Sequence, residues 1–172
     1  MSMVFLHWQI SRFLMAQQAA ATVPSDIQAL FDRSDVHVTQ RVMILEKIAR
    51  LIEGGVDNLA VIARFNHADD VIDSASCNIT QVICDHPELL GKASIAARPH
   101  LIVIGDTVEN LEKELGKEKF VTLRIGFLNE PIEKLPKFLA CFDIVITDEH
   151  SAVDVPRKII DAIVTKRIIS KD

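Results

Sequence analysis

Apolar positions recur at helical spacing from Val38 to Glu53, where Val42, Leu45, Ile48, Ala49 and Ile52 share one face, and Gly54-Gly55 supplies the stop. The run Asn58-Leu59-Ala60-Val61-Ile62-Ala63 follows at once. It is short, apolar and bounded by turn residues, the pattern of a strand buried on both faces. The two patterns then alternate through the C-terminal half. His100–Ile104, Phe120–Ile125 and Asp143–Ile146 read as strands, and Val108–Leu115, Ile132–Cys141 and Val155–Val164 as helices. Such alternation predicts an α/β fold, a Rossmann-like parallel sheet with helices on its faces. Arg64–Pro99 mixes acidic residues, Asn and Pro with two short apolar patches and reads as loop with a helical turn or two.

Upstream, a short helix at Asp26–Asp32 follows a break at Pro24-Ser25. The first 23 residues contain no acid and a single basic residue, Arg12. His7, Gln9, Ser11 and Arg12 interrupt the apolar stretch, which is too short to span a membrane. Two readings stand. One is a targeting signal, although the positive start of a secretory leader is lacking. The other is an amphipathic helix whose Val4, Leu6, Trp8, Phe13 and Leu14 pack on a neighbouring surface, or whose Phe5, Leu6, Trp8, Ile10 and Phe13 lie across the open end of the sheet or mediate self-association. The chain accordingly divides into an N-terminal helical extension, 1–36, and an α/β core, 37–172.

Composition narrows the functional classes. With 19 basic and 24 acidic residues the chain carries a net charge of −5, so it has no positive field to gather nucleic acid. Hydrophobic residues make up 49% of 172, and Gly and Pro number six each, which excludes a disordered or linker-like chain. Cys77, Cys84 and Cys141 form no C-x-x-C pair. Neither a disulfide framework nor a Cys-rich zinc site follows, and a reducing, cytoplasmic setting is expected.

Ligands of an open parallel sheet bind outside the carboxyl ends of its strands. Two strand ends carry chemistry: Arg64-Phe65-Asn66-His67-Ala68-Asp69-Asp70 and Gly105-Asp106-Thr107-Val108-Glu109-Asn110. Asp106 either holds a divalent cation or braces the loop, and Thr107 is placed to cap the next helix.

Several segments together resemble the cytosolic 5'-nucleotidase III family, pyrimidine 5'-nucleotidases of the haloacid-dehalogenase-like superfamily. They are Leu51–Gly55, Leu59–Ile62, Ile102–Thr107, Leu123–Glu130 and Phe142–Ile146 with the helix ending near Ile163. The run Ile125-Gly126-Phe127-Leu128-Asn129 is the most specific of these. The resemblance implies a haloacid-dehalogenase-like core, Mg²⁺ as cofactor, and hydrolysis of pyrimidine nucleoside 5'-monophosphates to nucleoside and phosphate. It also implies that most of the family's helical cap is missing between the first strand and His100.

Carried over by residue, the resemblance places the family's nucleophilic aspartate on Arg64 and its acid/base aspartate on Asn66, with Ala68 where a threonine would contact phosphate. A guanidinium has no lone pair with which to attack phosphorus, and an amide cannot relay a proton near neutral pH. Asp106 remains as a metal ligand, whereas the family's second carboxylate in that motif falls on Asn110. Three readings stay open. Arg64 and Asn66 are ordinary loop residues; Arg64, His67 and Thr107 bind a phosphate or nucleoside monophosphate without turnover; or Asp69 or Asp70 assumes the nucleophile's role in an active 5'-nucleotidase. The expected function is therefore that of a catalytically degenerate relative that binds nucleotide or protein. Neither nucleic acid nor a membrane is expected as partner.

Overall fold

A computed structural model of the chain describes residues 22–32, 36–64, 97–106, 121–129, 131–147 and 154–169. Among these the strands β1 (Val36–Val38), β2 (Leu59–Arg64), β3 (His100–Gly105), β4 (Val121–Phe127) and β5 (Ile144–Ile146) form one sheet in the order β1-β5-β4-β3-β2. The pairs β2/β3, β3/β4 and β4/β5 are parallel, as the alternating pattern predicts. β1 pairs antiparallel with β5 through Val36 and Ile146 at one end and Val38 and Ile144 at the other.

β1 corrects the expectation of a helix beginning at Val38. Three residues are too few to show a period, and the β-branched Val36 and Val38 gain their partner only when the distant β5 presents an open edge. Helix α2 (Arg41–Gly54) then starts after Gln40, which is still extended. Gly55 closes it at φ +69°, a left-handed conformation that side chains with a Cβ rarely adopt.

Other boundaries also differ from the sequence reading. The helix expected over Ile132–Cys141 divides into a 3₁₀ turn, Ile132–Lys134, and α3 (Leu135–Cys141). Pro136 has no N–H to return to the Ile132 carbonyl, so a continuous α-helical ladder fails there. β4 runs on through Gly126 and Phe127, two residues beyond its expected end. The short helix α1 (Ser25–Leu30) stops two residues before its expected end, and the terminal helix α4 (Asp154–Ile169) continues five residues past Val164. Residues 1–21, most of Arg64–Pro99 and the helix expected at Val108–Leu115 lie outside the described residues.

Alternation along the strands distributes the core. On one face Val61, Ile102, Ile104, Leu123, Ile125 and Ile144 are buried beneath Ile27 and Leu30 of α1, Ile44, Ile48 and Leu51 of α2, and Val155, Ile159, Ile160 and Ile163 of α4. Their spacing on α4 is the stripe that a helix buries against a sheet. On the other face Phe138 of α3 stacks with Phe142, ring centroids 5.5 Å apart, over Val145. Leu101 and Val103 pack there with Ala60 in a smaller cluster.

Candidate functional site

Parallel pairing fixes the chemistry-bearing ends side by side. Leu59 to Arg64 match His100 to Gly105 one for one, so Arg64 ends β2 beside Gly105 at the end of β3. Asp106 is the next residue, half-buried, and Gly126 of β4 lies in register with Gly105 on the other side. Beyond β4 the Leu128 N–H donates to the Ile146 carbonyl at 3.0 Å, which extends the ladder by one rung. The Asn129 N–H turns back to the Phe127 carbonyl at 3.1 Å and ends it. Thr147 leaves β5 at the same edge. Asn129 and Thr147 therefore join Arg64 and Asp106 along the carboxyl ends. Neither Asn129 nor Thr147 is marked as a site residue by any motif, and position directly after a strand is the available signal.

The structure brings together two of the residues singled out from sequence, Arg64 through its backbone register and Asp106 through its place after β3. Asn66, His67 and Thr107 lie outside the described residues, as do Asp69, Asp70 and Asn110.

A different concavity, of about 210 Å³, opens at the amino end of β5, lined by Thr39, Met43, Arg124, Cys141 and Asp143 among others. Its polar groups are engaged in holding the fold. Lys47 Nζ donates to Asp143 Oδ1 at 2.7 Å, the Arg124 N–H donates to Asp143 Oδ2 at 2.9 Å, and the Thr39 hydroxyl donates to the Phe142 carbonyl at 3.1 Å. This pocket is away from the strand ends that carry Arg64 and Asp106, and the topology of parallel sheets favours the latter for ligand chemistry.

The strand topology and the run through Gly126 and Phe127 meet in a match to known proteins. The profile of the pyrimidine 5'-nucleotidase (UMPH-1) family covers residues 29–164. The chain belongs to that family. Among solved structures it resembles cytosolic 5'-nucleotidase IIIB bound to cytidine, with a TM-score of 0.62 and 11% identity over 86% of this chain and 99% of that one. At that identity the likeness establishes the fold alone, an α/β core built on a mostly parallel five-stranded sheet. No curated protein sequence matches the chain.

Membership makes the donor set at the strand ends informative. A magnesium ion takes a near-octahedral shell of hard oxygens and binds where carboxylates converge. Among the described residues Asp106 is the one carboxylate at the carboxyl ends of β2 to β5, and the strand beside it finishes in Arg64. No group of three His, Cys, Asp or Glu side chains able to hold a metal occurs among the described residues. Asp106 is thus the single candidate ligand that the described strand ends offer to the ion the resemblance implies. No helix among them is long and apolar enough to cross a membrane.

Proposed function

We propose that this protein binds a nucleoside monophosphate or free phosphate at the carboxyl ends of β2 and β3 and does not hydrolyse it. The observation that carries the reading is Arg64 at the end of the strand paired with β3, where the family resemblance puts the attacking carboxylate. The register supports that correspondence, because the strand ending in Arg64 is the direct neighbour of the strand ending in Gly105-Asp106. A guanidinium offers planar, charge-assisted donors to phosphate oxygens, so the residue that removes the nucleophile is itself suited to hold the phosphate. His67 and Thr107 follow the two strand ends in sequence and complete the proposed binding set.

A phosphate-release assay across nucleoside monophosphates with Mg²⁺, run beside a thermal-shift titration with the same ligands, tests the reading. Expected are stabilisation by CMP, UMP or phosphate and no release above the uncatalysed rate. Mg²⁺-dependent release abolished by Asp69→Asn or Asp70→Asn would replace the proposal with an active 5'-nucleotidase using displaced carboxylates.

A further inference from the structure

We draw no further inference here: the strongest candidate, the concavity between the start of α2, the end of α3 and β4 that Thr39, Met43, Arg124, Cys141 and Asp143 line, has Thr39 and Asp143 engaged in holding the fold, and nothing in the structure shows what covers it.

Discussion

The imidazole of His100, at the start of β3, occupies the space that a Cβ on Gly54 would need. The last turn of α2 thus rests directly on the first residue of a central strand, and the pair sets how closely the helix approaches the sheet. Gly54 is helical and costs about 1 kcal/mol relative to alanine there, so its value lies in this contact. Gly54→Ala is expected to destabilise the protein by about 1–3 kcal/mol through overpacking. In a His100→Ala background the same change should turn neutral or stabilising, because the space is free and the helix propensity improves. Urea denaturation of the four proteins of the cycle gives both numbers.

Burial of His100 also makes stability depend on pH. Removal from water holds its pKa below the ordinary value of 6.5. Between the lowered folded value and 6.5 the unfolded chain binds the proton and the native protein does not, so stability falls as pH drops through that interval. Above it the residue contributes no pH dependence. Melting temperatures of wild type and His100→Gln from pH 7.5 to 5.0 should converge or cross with acidification, the variant showing the shallower decline. Parallel curves would remove His100 as the source.

Asp143 joins three elements. One carboxylate oxygen accepts from Lys47 on α2 and the other from the Arg124 N–H of β4, just before β5 begins. Both side chains of the ion pair are largely buried, at 27% exposed for Lys47 and 17% for Asp143. Asp143→Ala strips partners from a main-chain donor and an ammonium and should cost about 2–4 kcal/mol. Lys47→Met keeps the aliphatic stem and leaves one bond to Asp143 in place, and should cost less. Chemical denaturation that ranks the two in the opposite order would reject this account.

Gly126 lies against the Phe142 ring so closely that an added Cβ would collide with it. Gly126→Ala is expected to cost about 1–3 kcal/mol and to displace the Phe138–Phe142 stack. Replacing Phe142 with leucine should recover part of that loss, which a two-variant thermal melt detects.

At the strand ends, inorganic phosphate at about one hundred times its dissociation constant should stabilise the wild type by about 2.7 kcal/mol. Arg64→Gln should abolish most of that shift and leave the ligand-free melting temperature little changed. An equal phosphate shift in both proteins would place the anion elsewhere.

The elements whose residues speak for themselves were legible in the chain. The stripe of α2, the continuous apolar runs of β2 and β3, and the buried face of α4 each bury enough of their own length to leave a period. β1 left none, since Val36–Val38 becomes a strand only because β5 offers an edge more than a hundred residues later. The break before α3 was latent in Pro136 but needed its backbone donor counted. At the strand ends Arg64 and Asp106 could be named from sequence, whereas their neighbourhood could not. Gly54 and Gly126 looked like a helix stop and a motif letter until His100 and Phe142 were found against them.

By itself the sequence determined the periods of its helices and strands, the family they belong to, and the presence of a permanent cation at the last residue of β2, because these are properties of residue type and spacing. Tertiary structure alone decided that Arg64 and Asp106 come from adjacent strands held in one register. Parallel pairing joins segments with no local contact, and burial of alternate side chains fixes which residues face each other.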